Sequence, residues 1–218
     1  MKKVGIIVAM EKEWNAMFGQ YGRNGRGMAF LRTNKGNEVV AKVSGIGKVN
    51  AAITAYRLWK EYYCSTILSF GCAGGADYSV KIGDVIVGDE FMYYDVDCGA
   101  PNAVGQVQGC PGTFPSSYKT WPFLDGYRHG LIATGDSFVE SETLATSITK
   151  MLYPAHRPLA FDMESAAIAQ VCNHYGIGFT SVRVISDNPI SGERTYKDFW
   201  EKKDITMATL FKIFMEEE

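Results

Sequence analysis

The sequence lacks the features of a protein that spans a membrane or binds nucleic acid. Its longest apolar runs fall far short of the roughly 20 residues that cross a bilayer. Lysines and arginines gather in no basic block. The opening residues lead directly into a predicted strand, so we expect no signal peptide. With a formal net charge of -2, these absences predict a cytoplasmic protein with no membrane and no nucleic-acid partner.

Cysteine and histidine are sparse and show no metal-ligand spacing. The five cysteines are scattered without a C-x-x-C pair, which is typical of reduced cytoplasmic thiols rather than of disulfides or zinc ligands. The three histidines form no metal motif either. Neither the phosphate-binding motif G-x-x-x-x-G-K-[ST] nor the dinucleotide motif G-x-G-x-x-G is present. We therefore expect no metal and no cofactor.

The residues that are present follow the pattern of a single α/β domain. A hydrophobic content of 46% supports a substantial core, and no linker or repeat divides residues 1–218. Short apolar runs predict strands, and helical periodicity predicts helices. The predicted strands are Lys3–Ala9, Met28–Thr33, Glu38–Val43, Thr66–Phe70, Gly83–Gly88, Gly130–Val139 and Phe179–Ile185. Helices are predicted from Met10, over Val49–Tyr62 and Glu142–Leu152, after Glu164 with a stop near Gly176, and over Tyr196–Glu216.

Glycine-rich segments separate several of these elements. Ser44–Lys48 predicts a tight turn, and Gly71–Gly75 predicts a second turn whose main-chain N–H groups approach a polar ligand closely. The segment Tyr93–Pro115, rich in glycine, proline and aromatic residues, predicts a long functional loop.

Acidic side chains recur where predicted strands end. Glu13 follows the first strand, Asp162 and Glu164 precede an alanine-rich helix, and Asp187 follows a later strand. Ligands of α/β sheets bind at that edge, and a buried carboxylate needs a partner or a role. A simpler interpretation exists for each acid. The first three would favour a helix N-terminus, and Asp187 would form an Asx turn before proline. The pattern alone leaves both interpretations open.

Seven short segments occur in the order in which they occur in one enzyme family. Together they resemble the 5′-methylthioadenosine/S-adenosylhomocysteine nucleosidases of the nucleoside phosphorylase superfamily. The resemblance implies a three-layer α/β/α fold around a central mixed twisted sheet. It also implies a homodimer and cleavage of the adenine–ribose bond by water, without metal or cofactor. The segments are Gly5–Glu13, Ser44–Val49, Gly74–Gly75, Lys81–Val87, Gly135–Phe138, Asp162–Glu164 and Arg183–Asp187.

The resemblance implies a role for three of the acids. Breaking an N-glycosidic bond produces an oxocarbenium-like sugar, and adenine leaves more easily when it is protonated. Asp187 matches the acid that protonates adenine at N7, and Glu13 matches the residue that activates water. Glu164 matches the acid that binds the 2′- and 3′-hydroxyls of the ribose. An aspartic acid that stays protonated near neutral pH needs a pKa raised by burial.

The resemblance also implies the residues that contact the substrate. Phe138 would stack on adenine, the Val139 main chain would read its edge, and Met163 would lie against the ribose. Arg183 would pair with a nearby acid and hold Glu164 in place. The other implied binding positions are Met10, Ile46, Cys72, Ala73, Gly74, Asp162, Ser186 and Tyr196, the last as an approximate match to an aromatic lid residue.

Three features differ from the pattern that is common in that family. Cys72 stands in place of a serine, and Asp162 in place of a glutamate two residues before Glu164. The loop Cys98–Gly109, which in the family enters the active site of the partner subunit, is a residue shorter here. These differences concern the 5′ substituent more than the cleavage chemistry.

Two other functions fit the same fold. A purine nucleoside phosphorylase must bind phosphate, and such enzymes usually carry an arginine just before the glycine run and another in the first loop. Here Ser69 and the acidic segment Met10–Trp14 occupy those places, and Glu13 would repel phosphate. A non-catalytic adenosine-binding domain is the second alternative. It gains nothing from unpaired buried carboxylates, so three retained acids favour a hydrolase.

Overall fold

The computed structural model describes residues 2–192, 199 and 204–218. The strands within these ranges are β1 (Lys3–Val8), β2 (Met28–Arg32), β3 (Glu38–Val43), β4 (Thr66–Gly75), β5 (Val85–Tyr93), β6 (Phe114–Pro115), β7 (Arg128–Thr134), β8 (Pro158–Asp162) and β9 (Gly178–Asp187). The α-helices are α1 (Glu11–Phe18), α2 (Lys48–Tyr62), α3 (Glu142–Leu152), α4 (Ser165–Tyr175) and a last helix, Asp204–Glu217.

The strands form one mixed sheet. β1 lies between β3 and β4 and is parallel to both, while β2 pairs antiparallel with the outer side of β3. Beyond β4 the pairing closes on itself. β4 is parallel to β9, β9 antiparallel to β5, β5 parallel to β7, β7 parallel to β8, and β8 antiparallel to the end of β4. Strand ends from both halves of the sheet therefore meet near the end of β4.

Helices cover both faces of the sheet. Ile6 packs in the cluster that contains α1 and the last helix, whereas its neighbour Ile7 packs with α2 and α4. This alternation follows from the two-residue period of a strand. α3 packs in a third cluster with β7 and β8. The resulting arrangement is the expected three-layer α/β/α fold with a central mixed sheet.

The fold class expected from the sequence is confirmed, with several errors in local structure. Gly71–Gly75 is not a turn, because these residues extend β4: residues 71–74 pair with β9, and Gly75 pairs with β8. The predicted strand Gly130–Val139 begins two residues earlier, at Arg128, and ends at Thr134. Of the predicted helix Tyr196–Glu216, the structure describes Asp204–Glu217; Tyr196 lies outside the described residues.

The described residues lack two further features. They contain no helix that is long and apolar enough to cross a membrane. In the same part of the chain, no three His, Cys, Asp or Glu side chains are grouped as a metal site requires.

Candidate active site

A cavity of about 100 Å³ lies where β1, β4, β8 and β9 end. A smaller cavity of about 30 Å³ adjoins it and shares five of its residues. The predicted site residues that line the larger cavity are Met10, Glu13, Ile46, Cys72, Ala73, Gly74, Phe138, Asp162, Met163, Glu164 and Ser186. Val139 and Asp187 line the smaller one. Arg183 lies behind these walls, and Tyr196 is outside the described residues.

Glu13 is held by three main-chain donors. Oε2 accepts hydrogen bonds from the N–H groups of Ala9 and Met10 at 2.8 and 2.9 Å, and Oε1 accepts one from Cys72 at 3.0 Å. Burial raises the pKa of Glu13, whereas the Arg183 charge and these donors lower it. The capping interpretation is therefore correct for one oxygen, because Met10 is the N-cap of α1. The other oxygen ties the residue to β4.

Gly71 makes this position of Glu13 possible. A Cβ atom at residue 71 would stand 2.6 Å from Oε1 of Glu13, closer than any side chain allows. Because Gly71 has no side chain, the Glu13 carboxylate packs directly against the backbone of β4. This is the physical reason for a glycine in mid-strand.

Asp187 ends β9 and is buried to all but 6% of its surface. Its Oδ1 accepts a hydrogen bond from the Ser186 hydroxyl at 2.7 Å. Burial raises its pKa above the ordinary value, and only the Ser186 bond acts in the opposite direction. The turn that follows is made by the next residue, since Oδ1 of Asn188 accepts from the N–H groups of Ile190 and Ser191. Asp187 is left facing the cavity.

Asp162 and Glu164 have different partners although only Met163 separates them. Asp162 caps α4, because its carboxylate accepts from the N–H of Ser165 at 3.1 Å. Glu164 is the N-cap residue of α4, but its side chain makes no bond to that helix. Its Oε1 accepts instead from the N–H of Gly47, at 3.0 Å, in the loop before α2. Burial and then the Asp162 charge raise the pKa of Glu164 to about 7.

Arg183 is a fully buried cation beneath these acids. Its Nη2 lies 2.8 Å from Oδ2 of Asp162 and 4.0 Å from Oε2 of Glu164. The same nitrogen donates to the hydroxyls of Ser69 and Ser165. Asp162 also accepts from Thr134. With Arg183, Ser165 and Thr134 on its oxygens, Asp162 is part of the wall that supports Glu164 rather than a free acceptor for a ribose.

The mouth of the cavity is apolar and exposed. Ile46 and Phe138 are 50% and 51% exposed although both are large hydrophobic residues. Exposed apolar side chains at the opening of a cavity are typical of a site for a ring or an alkyl group. Burial, then the Glu13 charge, raises the pKa of the Cys72 thiol, so this cysteine is a neutral group in the wall.

The sequence did not reveal several residues of the site. Phe161 and Ala9 line the larger cavity, and Ser137 lines the smaller one. Phe161 directly precedes Asp162 in an apolar run, but nothing there distinguishes it from other core phenylalanines. Thr134 and Ser165 follow from no motif at all, because their bonds to Asp162 depend on how β7, β8 and α4 meet.

The charges around the cavity favour a reaction that develops positive charge. Glu13, Glu164 and Asp187 face it, and none of the described lining residues is a lysine, arginine or histidine. Carboxyl groups of raised pKa that come from different elements, Glu13 from α1 and Asp187 from β9, can serve as a general acid and a general base. Main-chain groups of β4 and the exposed ring of Phe138 provide binding contacts for a flat polar ring.

Comparisons with known proteins agree with this geometry. The profile of the phosphorylase superfamily matches residues 3–216. A 5′-methylthioadenosine/S-adenosylhomocysteine nucleosidase of Oceanobacillus iheyensis is 38% identical over 170 residues, which cover 74% of this chain and 72% of the relative. The structure of an S-adenosylhomocysteine nucleosidase of Streptococcus pyogenes, in complex with 5-methylthiotubericidin, is 31% identical, with a TM-score of 0.80 and 97% of each chain covered. The futalosine hydrolase of Helicobacter pylori is 25% identical, with a TM-score of 0.84, and the match covers 100% of this chain and 98% of that one.

Proposed function

The chain belongs to the phosphorylase superfamily, and we propose that it is a hydrolase that releases adenine from 5′-methylthioadenosine and S-adenosylhomocysteine. The reaction breaks the bond between N9 of adenine and C1′ of the sugar, and water supplies the new substituent at C1′. The products are adenine and a 5-thioribose. The observation that carries this proposal is a cavity lined by four buried carboxyl groups, of which Asp162 is paired with Arg183, with no cation among its described lining residues.

Asp187 is the general acid of the proposed reaction. Its burial favours the protonated form, and Ser186 orients one oxygen while Gly74 leaves the cavity side open. As the bond breaks, the electron pair moves onto adenine and the Asp187 proton goes to N7. A correctly placed general acid contributes about 10²–10⁴-fold to the rate.

Glu13 is the general base. Its three N–H donors favour the ionised form, so that it can accept a proton from the attacking water. Glu13 contacts β4 at Gly71 and Asp187 approaches it at Gly74. At about 3.3 Å per strand residue, these contact points lie roughly 10 Å apart. That spacing leaves room for a sugar and a water between the acid and the base, as in inverting glycoside hydrolysis.

Glu164 is the ribose acid. An ionised carboxylate accepts hydrogen bonds from the 2′- and 3′-hydroxyls and favours the positive charge that develops on the sugar. The Gly47 N–H and the Arg183 charge favour its ionised form. Met163, between Asp162 and Glu164 at the cavity wall, packs against the ribose.

The remaining residues of the cavity bind either adenine or the 5′ substituent. Phe138 stacks on adenine, and the main chain of Val139 and of Cys72–Gly74 reads its polar edge. Met10 and Ile46 form an apolar wall for the 5′-thioether. The same proposal gives Tyr196, outside the described residues, the role of a lid. No step requires a metal or a cofactor.

The two alternative functions fit this cavity less well. Phosphate would face the carboxylates of Glu13 and Glu164, while the nearby Arg183 is already paired with Asp162. Like charges at this range repel strongly in a partly buried site. A protein that only binds adenosine would hold three buried acids at a cost in stability without using them.

Adenine release in phosphate-free buffer tests the proposed function. The purified protein is given 5′-methylthioadenosine, S-adenosylhomocysteine, adenosine or futalosine, each with and without about 10-fold excess phosphate, and the free purine base released from each nucleoside is measured. We expect adenine and free 5-thioribose from the first two substrates, with no dependence on phosphate. A strict phosphate requirement would support a phosphorylase, and binding without turnover would support a non-catalytic adenosine-binding protein. A preference for futalosine would support a futalosine hydrolase.

We also propose that the protein is a homodimer whose partner loop completes the site. Three apolar residues on one face of α2, Val49, Ile53 and Tyr56, are exposed in the single chain. Beside them a groove of about 640 Å³ runs between α2, α4 and the loop that contains Val107. A second copy, joined by two-fold symmetry, would cover this face. It would then bring its Cys98–Gly109 loop to the exposed mouth at Ile46 and Phe138.

The proposed location is the cytoplasm. All five cysteines are free thiols in the structure, as is usual in a reducing compartment.

A further inference from the structure

Three charged residues outside the cavity form a cluster at its rim. Both carboxylate oxygens of Asp95, after β5, accept from Nζ of Lys48, at 2.9 and 2.8 Å. Oδ2 of Asp95 also accepts from the main-chain N–H of Asp136, after β7, at 2.8 Å. Nζ of Lys48 lies 3.6 Å from the Asp136 carboxylate. The Lys48 and Asp95 side chains are only 22% and 25% exposed, so this network is partly shielded from solvent.

The cluster surrounds the start of α2, which has no cap of its own. The N-cap residue is Gly47, which has no side chain and stands at a φ of 95°. Its N–H donates to Glu164, and the N–H of Lys48 donates to Oδ1 of Asp136 at 2.9 Å. Of two adjacent N–H groups at the start of α2, one thus donates to Glu164 and the other to Asp136 of the cluster.

Gly47 fits closely between the two carboxylates. A Cβ atom there would stand 3.2 Å from Oδ1 of Asp136. Because Asp136 accepts from the N–H of Lys48, the next residue, its position limits where the Gly47 N–H can lie. Asp95 in turn holds Asp136 by its N–H and Lys48 by its ammonium group, so Asp95 joins the loops after β3, β5 and β7 in one network.

We propose that Asp95 is a positioning residue for Glu164, acting through Lys48, Asp136 and the N–H of Gly47. The inference rests on the proposed function, because it gives Glu164 the ribose to bind. Asp95 touches no reacting atom. It fixes the helix start whose N–H holds Oε1 of Glu164, and the carboxylate is then presented to the ribose hydroxyls in one orientation. The loops after β3, β5 and β7 are far apart in the sequence, and interactions such as those of Asp95 are needed to hold them in a catalytic geometry within a fraction of an ångström.

The test compares the loss of the Asp95 carboxylate, the partner of Lys48 on α2, with the loss of another carboxylate that pairs with a cation on the same helix. Asp95→Ala removes a partner of Lys48 at the start of α2. Glu61→Ala removes the partner of Arg57 near its end, where the ion pair at 2.9 Å is far along the helix from the site. We measure kcat and KM for 5′-methylthioadenosine, and the Kd of 5′-methylthiotubercidin, a ligand whose binding needs no turnover. Asp95→Ala should weaken both kcat/KM and Kd by about 10- to 100-fold, and Glu61→Ala should leave them within twofold.

A double-mutant cycle separates positioning from a general loss of structure. In the Glu164→Gln background, Asp95→Ala should have much less effect on the analogue Kd than in the parent, because the residue through which it acts is already impaired. Asp95→Asn, which keeps an acceptor for the Asp136 N–H but loses the charge, should fall between parent and alanine variant. It also serves if the alanine variant fails to fold.

The outcomes distinguish this inference from the proposed function. A parent protein that neither binds nor cleaves adenine nucleosides contradicts the proposed function, and the inference with it. If the parent is active, an Asp95→Ala effect no larger than that of Glu61→Ala overturns the inference alone. Equal effects of Asp95→Ala in the parent and Glu164→Gln backgrounds also overturn it.

Discussion

Each of the three cavity acids has a different set of hydrogen-bond donors, and the sets fit different protonation states. Glu13 accepts from three N–H groups, which can only donate and so favour a carboxylate. Asp187 accepts from a single hydroxyl, that of Ser186. A hydroxyl both donates and accepts, so it also suits a protonated acid. The structure thus supports a base at Glu13 and an acid at Asp187, the assignment that the resemblance implies.

Replacing the proposed acid should stop leaving-group protonation without changing the fold. Asp187→Asn keeps the size of the side chain and its bond with Ser186, but it has no acidic proton for N7. We expect kcat for adenine release from 5′-methylthioadenosine to fall by at least about 10²-fold. Asp125→Asn, at an exposed carboxylate remote from the cavity, is the control. Near-parental turnover in the Asp187 variant would show that another group protonates adenine.

Removing the charge of Glu164 should stabilise the protein at alkaline pH. Burial, followed by the Asp162 charge, raises its pKa to about 7 from the ordinary 4.5. A raised pKa in the folded state means that the native protein binds the proton more tightly than the unfolded chain. The cost of ionising Glu164 is therefore absent below about pH 4.5 and fully present above about pH 7.

Urea unfolding of parent and Glu164→Gln at pH 5 and pH 8 measures this effect. The gain in free energy of unfolding should be larger at pH 8 by about 1–3 kcal/mol. Glu90→Gln, at an exposed position, should show no such difference. A Glu164→Gln variant that is less stable than the parent at pH 8 would mean that the Arg183 charge outweighs burial.

The sequence predicts the roles of some residues of the site but not of others. The acids were predictable because carboxylates at strand ends are unusual and because they match an ordered set of motifs. The role of Asp162 as a buried partner of Arg183 was not predictable. It requires Thr134 and Ser165 to arrive from β7 and α4, and no local pattern encodes that meeting.

At the scale of elements, β4 shows why glycine misleads a sequence-based prediction. Five residues that include three glycines usually indicate a turn. Here the strand continues because two other side chains occupy the space that Cβ atoms would fill. Glu13 lies against Gly71, and Asn188 lies against Gly75, 2.8 Å from where a Cβ atom would stand. The glycines permit close approach rather than a change of direction.

Adding a methyl group to β4 should therefore displace the base and leave the strand in place. In Gly71→Ala the new Cβ would stand 2.6 Å from Oε1 of Glu13, so the carboxylate must move. We expect kcat to fall by about 10- to 100-fold, the effect of a misplacement near 1 Å. Gly112→Ala adds the same atom where nothing lies within 4 Å. Circular dichroism and kcat are measured for both, and unchanged kcat in Gly71→Ala would exclude this placement of Glu13.

At the scale of the whole molecule, the sheet closes so that its two halves present strand ends to one cavity. The α/β class and the helices on two faces follow from residue patterns, because the two-residue period of β1 already assigns its faces. The pairing of β8 with the end of β4 does not follow from such patterns. This pairing joins residues about 85 positions apart in the sequence. It consists of two residue pairs, Gly74 with Phe161 and Gly75 with Ala160. That the whole chain forms one domain stays a prediction.

The last prediction concerns the surface that α2 presents to solvent. Ile53, 53% exposed, lies at the centre of the apolar face that we propose to be covered by a second copy. In a two-fold dimer each substitution occurs twice, and an unpaired charge buried there costs about 3–5 kcal/mol. Ile53→Glu should thus shift the protein from twice the 24.1 kDa chain mass to a monomer. Because the partner loop then leaves the cavity mouth, KM for 5′-methylthioadenosine should rise at least tenfold while stability changes little.

Met151→Glu is the matched control, since Met151 is 46% exposed on α3, away from that face. It should remain a dimer with parental KM. Light scattering coupled to size-exclusion chromatography gives the mass, and initial rates over a range of substrate concentrations give KM for each protein. If the parent is itself a monomer at assay concentration and fully active, no partner loop completes the site. If Ile53→Glu is monomeric yet keeps the parental KM, the dimer exists but its loop contributes nothing to the cavity.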